Sequence, residues 1–365
     1  MRDGSDRSNV PHVRPSTLLR PKRPPKLVYL DLNHWIGLSK ARAWRTGGDL
    51  FRSAWEACLA ARREGRATFP ISDAIYFEVS KNPRHGQRQR LREAIEELSE
   101  YATIVARYVI ARHEVEAMLD RAVGPSAQPI ESIDYIGWGV VSAFGRGTGR
   151  LRVKRKQDGV DVTEQFRASY RDGPHAFDEY CRTAELRLQR SILDGPEPGE
   201  EELMREYGWD PDAAIDTARR RAQQEVEQVA RFDADPRWRK GRIRDVVSAR
   251  ELLIEINEML ARGLAARGDP EGRVFESVER ARKLSDSMPS FDVAVSIKAE
   301  YHRDPHHRWT ANDILDIDAL GSSLPYCDVV VTDKAVASNV ERCGLADRLG
   351  TVVLSRLDDL LPYIA

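Results

Sequence analysis

The chain has few cysteines and no long apolar run, and both absences exclude classes of protein. Its four cysteines, Cys58, Cys181, Cys327 and Cys343, lie far apart in 365 residues and form no CxxC pair. This pattern predicts reduced thiols in a cytoplasmic protein and argues against a disulfide scaffold or a zinc ribbon. No apolar segment reaches the ~18 residues of a membrane helix, and the N-terminus lacks the apolar core of a signal peptide. We therefore expect a cytoplasmic location and no membrane partner.

The chain also lacks a net charge of either sign. Its 57 Lys and Arg residues and 58 Asp and Glu residues give a formal net charge of −1. No overall basic field therefore indicates a nucleic-acid partner. Few of the basic residues are lysine. Arginine binds phosphate in a bidentate manner, but a surplus of arginine is also typical of a GC-rich bacterial genome, so composition alone identifies no partner.

Apolar strands alternate with amphipathic helices in two separate parts of the chain, 26–122 and 289–365. This alternation predicts an α/β fold with a central parallel sheet. Residues 1–25 are polar and rich in Arg and Pro, so we expect a disordered or loosely docked tail there. Residues 123–288 are charged and mainly helical, with a probable β-hairpin near 150–165. The sequence therefore predicts an α/β domain that is interrupted by a helical insertion.

Two of the predicted strands end directly on an acid. The apolar run in "KLVYLDLNHWIG" stops at Asp31, and the run in "VVVTDK" stops at Asp333. Each Asp has an ordinary structural explanation as a turn former or helix cap, and Asn33 could cap a helix that starts at His34. Glu78 lies in an otherwise apolar helix, where a charged side chain needs either a solvent-exposed helix face or an oppositely charged or hydrogen-bonding partner. These positions are also the carboxyl ends of parallel strands, where α/β proteins place their sites.

A third group of acids lies in the helix that begins at "WTANDILDID". Thr310 is a plausible N-cap, and Asp313 at the third helical position is then favoured by the helix dipole. Asp316 lies one turn later on the same face, whereas Asp318 points away from Asp313. If these acids cluster in one crevice, they need a bound cation to stay ionised together. A coordination shell of a few carboxylates and several water molecules is the one that Mg²⁺ or Mn²⁺ prefers.

The order of these motifs resembles that of the PIN-domain (PIN-like) nuclease superfamily: "LVYLDLN", a Glu in the helix after the second strand, "ND" opening a later helix, and "VVVTDK". The resemblance covers about half the chain, 26–122 and 289–365. It implies a three-layer α/β/α sandwich around a parallel sheet, with metal-dependent cleavage of RNA phosphodiester bonds as its activity. By this resemblance the catalytic, metal-holding acids are Asp31, Glu78, Asp313 and Asp333, with Asp316 as a further metal ligand and Asn33 and Thr332 as supporting polar residues.

We therefore predict an Mg²⁺- or Mn²⁺-dependent nuclease with RNA as the expected substrate. A non-catalytic RNA- or protein-binding module on the same scaffold, or a nuclease for single-stranded or flap DNA, remains an alternative. A homo-oligomer or a regulatory protein partner is also left open. The predicted hairpin carries a cluster of basic residues too dense for local acids to pair, and phosphate contact there is one interpretation. This cluster consists of Arg150, Arg152, Lys154, Arg155 and Lys156. The histidines of "YHRDPHHRW" are best explained as a polar loop.

Overall fold

The computed structural model describes residues 10–21, 25–147, 150–206, 210–239 and 241–365. Within these residues the strands are β1 (Leu18–Leu19), β2 (Lys26–Leu30), β3 (Ala67–Thr68), β4 (Ala102–Ile104), β5 (Ile133–Asp134), β6 (Ile136–Trp138), β7 (Val329–Val331) and β8 (Val352–Leu354). The α-helices of the first part are α1 (Leu32–Arg42), α2 (Arg52–Arg63), α3 (Asp73–Ser80), α4 (His85–Ser99) and α5 (Arg107–Ala122). Those of 123–288, the middle segment, are α6 (Gly139–Ala143), α7 (Thr163–Ala168), α8 (Pro174–Asp194), α9 (Glu201–Glu206), α10 (Pro211–Ala234), α11 (Ile243–Ile254), α12 (Asn257–Ala265) and α13 (Val278–Asp286). The last part contains α14 (Pro289–Arg303), α15 (Ala311–Ser323), α16 (Lys334–Arg342), α17 (Leu345–Leu349) and α18 (Leu361–Ile364). Short 3₁₀ turns lie at Asp49–Phe51, Pro236–Arg239, Arg273–Phe275 and Asp358–Leu360.

A parallel sheet with the strand order β3-β2-β7-β8 forms the centre of the α/β part. The near-continuous apolar runs of β2 and β7 suit strands that are covered on both faces. Leu27 and Tyr29 pack in one apolar cluster with α14 and α15, whereas Val28 and Leu30 pack in a second cluster with α1 and α2. Helices therefore cover both faces of the sheet. The prediction of an α/β fold with a parallel sheet is confirmed at this level.

The N-terminal segment departs from the prediction of a disordered or loosely docked tail. Val13 and Leu18 are 3% and 5% exposed, and β1 pairs in parallel with β5. The Arg20 side chain donates to the Tyr326 carbonyl oxygen at 2.7 Å. The tail prediction is wrong for 10–21, because two apolar side chains and a strand pairing dock this segment. Residues 1–9 and 22–24 lie outside the described residues.

The middle segment is mainly helical, but its first part pairs with strands outside it. β5 pairs with β1, and β6 pairs antiparallel with β4. Between them Tyr135 is fully buried, and its hydroxyl donates to the Ser322 carbonyl oxygen at 2.9 Å. The predicted third strand, β4, therefore lies outside the four-stranded sheet, to which one parallel bridge from Thr103 to Ile71 connects it.

The predicted hairpin near 150–165 is reduced to a single antiparallel bridge between Lys154 and Asp161. The Asp161 carboxylate accepts from the Thr163 backbone N–H at 2.9 Å, and α7 begins at that threonine. A helix therefore starts where the second strand would continue. Within the described residues, no helix has both the length and the apolar character needed to cross a membrane.

Candidate acidic site

Asp31 and Asp333 lie next to each other at the carboxyl edge of the sheet. Leu30 pairs with Val331 in the parallel register, and the Asp31 backbone N–H donates to the Val331 carbonyl oxygen at 2.9 Å. Because the two strands run in parallel, the acids that follow them leave the sheet at the same edge. The pairing of β2 with β7 therefore brings together two acids that lie far apart in the chain.

Both acids also cap helices. Asp31 Oδ1 accepts from the Leu32 N–H at 2.6 Å and caps α1, while Asp333 Oδ1 accepts from the Ala335 and Val336 N–H groups and caps α16. The interpretation of these residues as helix caps is therefore correct. The capping hydrogen bonds involve Oδ1 of each carboxylate, and Oδ2 takes no part in the cap. Asn33 is exposed within the first turn of α1 and is not its cap.

Asp316 has the most strongly perturbed carboxyl of the predicted acids. Burial raises its pKa, and the negative charges of Asp31, Glu78 and Asp333 raise it further, to about 8. Asp313 contributes in the same direction. Two acids that follow strands and acids of α3 and α15 therefore lie close enough to repel one another. Asp31, Glu78, Asp313 and Asp333 therefore all lie within electrostatic range of the Asp316 carboxyl.

Glu78 is the second acid with a raised pKa at this site. Burial and the charge of Asp31 raise the pKa of Glu78 to about 7, and the ammonium group of Lys81 opposes the rise. Lys81 lies at the C-terminal end of α3 and donates to Asn312 Oδ1 at 3.1 Å. This cation bridges α3 to the start of α15 beside the acids. The sequence analysis did not identify Lys81, although a lysine three residues after Glu78 could have indicated a cation beside that acid.

Asp313 is held in structural contacts. Its Oδ2 accepts from the backbone N–H and the hydroxyl of Thr310, which completes the predicted capping box. Its Oδ1 lies 3.6 Å from His307 Nε2. Burial alone would raise the pKa of Asp313, but the hydrogen bonds from His307 and Thr310 lower it. Asp316, which the sequence indicated only as a further ligand, is therefore the acid of α15 whose pKa the other acids raise.

The loop before α15 contributes an aromatic wall that the sequence analysis interpreted as a polar loop. The His307 ring stacks on Tyr301 with centroids 4.2 Å apart, and His302 is fully buried. The pKa of Tyr301 is raised by burial and by the charges of Asp313, Asp316 and Asp333. The polar-loop prediction is wrong for His302, which lies in α14 and is fully buried, whereas His307 lies in the loop and is half-buried against Tyr301.

A cavity of about 340 Å³ adjoins this wall. It is lined by Tyr301, His307 and Asn339, together with Arg303 and Arg342 and the acids Glu300 and Asp304. Both arginines pair with Glu300 at 2.8 and 2.9 Å. Both arginines of this cavity therefore already have a carboxylate partner.

Thr332, a predicted supporting residue, is 4% exposed and joins three elements. Its backbone N–H donates to the Leu354 carbonyl oxygen in β8 at 3.0 Å, and its own carbonyl oxygen lies 3.1 Å from His34 Nε2. This contact holds α1 against the end of β7. Thr332 therefore supports the site through its backbone.

The basic residues of 150–156 are largely paired, contrary to the expectation. Arg150 contacts Glu185 at 2.8 Å and lies over the Trp138 ring, 4.2 Å from its centroid. Arg152 and Arg155 each lie 3.5 Å from an aspartate, Asp161 and Asp158 respectively. The short bridge folds these acids back onto the arginines. Lys154 and Lys156 remain exposed, and phosphate contact by this segment stays a prediction.

The donor chemistry of the acidic site fits a hard divalent cation, because carboxylate oxygens are the ligands that Mg²⁺ and Mn²⁺ prefer. Burial and nearby negative charges raise the pKa values of Asp316 and Glu78, so a bound cation would favour their ionised forms. However, no three or more Asp, Glu, His or Cys side chains in the described parts of the chain converge closely enough to hold an ion. The acids therefore lie at one edge of the sheet without forming a complete metal-coordination site.

No family model, curated protein or solved structure matches this chain. Any assignment of function therefore depends on the chemistry of the site.

Proposed function

We propose that the protein is an Mg²⁺- or Mn²⁺-dependent nuclease, an endoribonuclease that hydrolyses RNA phosphodiester bonds at a PIN-like acidic site. The observation that supports this most directly is the pairing of β2 with β7, which brings Asp31 and Asp333 to the same carboxyl edge of a parallel sheet, with Glu78 and Asp316 within electrostatic range. Like charges in a partly buried place are costly unless a cation binds there. Strongly perturbed carboxyl groups of this kind cluster at functional sites.

The residues of this site have distinct roles in the proposed reaction. A bound divalent cation supplies Lewis acidity and lowers the pKa of water, so water is the nucleophile. The cation would be held by Asp31, Glu78, Asp316 and Asp333, with Asp313 at the rim of the site. Glu78 and Asp316 must lose their protons for this, since metal ligands bind as carboxylates. The Lys81 ammonium lies at the rim, where it can contact a substrate phosphate.

A non-catalytic RNA- or protein-binding module on the same scaffold is the second candidate. It is favoured by the lack of a complete metal-coordination site among the described residues and by the capping contacts of Asp31, Asp313 and Asp333. Such a module would bind its partner without a divalent ion and without cleaving it.

One assay separates the candidates. Labelled single-stranded RNA, duplex RNA, single-stranded DNA and flap DNA are incubated with the protein in Mg²⁺, Mn²⁺ or EDTA. Asp31→Asn is tested beside Asp359→Asn, which removes one carboxylate from an exposed turn. We expect internal cleavage of RNA that EDTA abolishes, Asp31→Asn loses and Asp359→Asn keeps. Binding without cleavage by all three proteins would favour the second candidate.

A further inference from the structure

Helix α15 presents acids to two different regions of the molecule. Residues advance about 100° each around a helix, so Asp316 and Asp318 point about 200° apart. Asp316 lies within electrostatic range of Asp31, Glu78 and Asp333. Asp318 instead accepts from Arg107 of α5 at 2.5 Å and from both terminal nitrogens of Arg221 in α10, one of them at 3.0 Å. One short helix therefore connects the candidate site to the middle segment.

Asp318 belongs to a larger network of ion pairs that lies between the middle segment and the α/β part. Arg221 also contacts Glu255 at 3.0 Å. Glu251 and Glu225 both contact Lys298 of α14, at 2.5 and 3.0 Å, and Lys298 is 1% exposed. The pairs combine Arg107, Arg221, Arg250 and Lys298 with Asp318, Glu225, Glu251 and Glu255. Equal numbers of cations and anions leave this network balanced.

We propose that Arg221, with Arg107, is a positioning residue for Asp316, so that the middle segment sets the geometry of the acidic site. A guanidinium that contacts a carboxylate through two nitrogens restricts both its distance and its angle. Because α15 is rigid over two residues, a rotation that moved Asp316 from the acids would also break the contacts of Asp318. This inference rests on the proposed function for its chemistry, while the position of α15 is measurable without it.

Arg221→Met removes the guanidinium contacts with Asp318 but keeps an aliphatic side chain of similar size. Its matched control is Arg244→Met, because Arg244 in α11 of the same segment forms buried ion pairs with Asp286 and Asp292, and its ion pairs within the described residues do not involve α15. Each variant is examined by thermal unfolding in EDTA, by Mn²⁺ titration calorimetry below its transition, and by backbone amide NMR shifts of 313–317 without metal. Arg221→Lys, which keeps the charge but loses the planar contact, serves if Arg221→Met fails to fold.

We expect both methionine variants to melt earlier than the wild type. Only Arg221→Met should weaken Mn²⁺ binding, by about tenfold, the range found when partners that orient metal ligands are removed. Only Arg221→Met should shift the amide signals of 313–317. Unchanged Mn²⁺ affinity and unchanged signals in Arg221→Met would overturn the inference, and so would equal changes in Arg244→Met. If the wild type binds no Mn²⁺ and cleaves nothing, the proposed function fails, and the amide signals alone then decide whether Arg221 positions α15.

Discussion

Two regions that meet on α15 treat their acids in opposite ways. At the sheet edge, burial and like charges raise the pKa of Asp316 to about 8. Two residues later, burial alone would raise the pKa of Asp318, but the guanidinium groups of Arg221 and Arg107 hold it below its usual range. The paired region stabilises the fold because each buried charge has a partner. The unpaired region costs stability, which proteins accept at functional sites.

The difference between the two regions should have its largest effect on activity when the unpaired acid, Asp316, is removed. Asp316→Asn should reduce cleavage by about 10²–10³-fold, because a central carboxylate that stabilises the bound cation is lost. Asp313→Asn should reduce it less, since both oxygens of Asp313 already contact His307 and Thr310. Initial rates on one RNA substrate in saturating Mg²⁺ measure both, with Asp359→Asn as the control. Equal rates for Asp316→Asn and the control would remove Asp316 from the site.

Removing the paired acid should instead destabilise the protein. Asp318→Asn removes the carboxylate shared by two partly buried guanidinium groups, which then keep only their contacts with Glu251 and Glu255. This loss should lower the free energy of unfolding by about 3 kcal/mol. Urea unfolding in EDTA at neutral pH measures this loss. A variant as stable as the wild type would mean that the network contributes no net stability.

The pH dependence of the metal-free protein sharpens the same contrast. The folded protein keeps the Asp316 proton up to about pH 8, whereas the unfolded chain releases it near its ordinary value, close to pH 4. The folded state thus binds more protons in this window, and the free energy of unfolding must fall as the pH rises through it. Asp316→Asn should remove on the order of 2 kcal/mol of that fall.

This difference is measured by urea unfolding in EDTA at pH 5.5 and 8.5. Glu78, whose pKa is raised to about 7, contributes a fall of its own in both proteins. The change between wild type and variant therefore reports Asp316 together with its reciprocal coupling to Glu78. If both proteins lose the same stability between the two pH values, Asp316 is not under the repulsion that we describe.

The smallest expected effect concerns the cation beside the acids. Lys81→Met should raise the KM for RNA about fivefold, since a charge-assisted contact to phosphate contributes about 1–3 kcal/mol. It should also reduce the salt dependence of binding by about one counterion. Arg84→Met removes the same charge from an exposed position at the start of α4 and should change neither quantity. Identical KM values for both variants would show that Lys81 contacts no phosphate.

Local sequence was sufficient for several parts of the site. The apolar runs that end on Asp31 and Asp333 predicted parallel strands whose carboxyl ends share an edge, and the register of β2 with β7 agrees. The capping box of Thr310 and Asp313 was predictable because it depends on residues three apart. These features follow from short-range geometry, in which the backbone alone decides where a side chain can reach.

Tertiary packing decided which acid of α15 is unpaired and which is neutralised. Arg221 lies 97 residues before Asp318 in the chain, and no local period connects them. Docking of residues 10–21 depends on an equally distant contact, the pairing of Leu18 with Ile133. Sequence by itself determined strands β2 and β7, the capping box of Thr310 and Asp313, and the edge at which Asp31 and Asp333 leave the sheet. The rotation of α15, and with it the separate roles of Asp316 and Asp318, was set only when the middle segment packed against that helix, because the free energy of an ion pair depends on the partner that folding brings within reach.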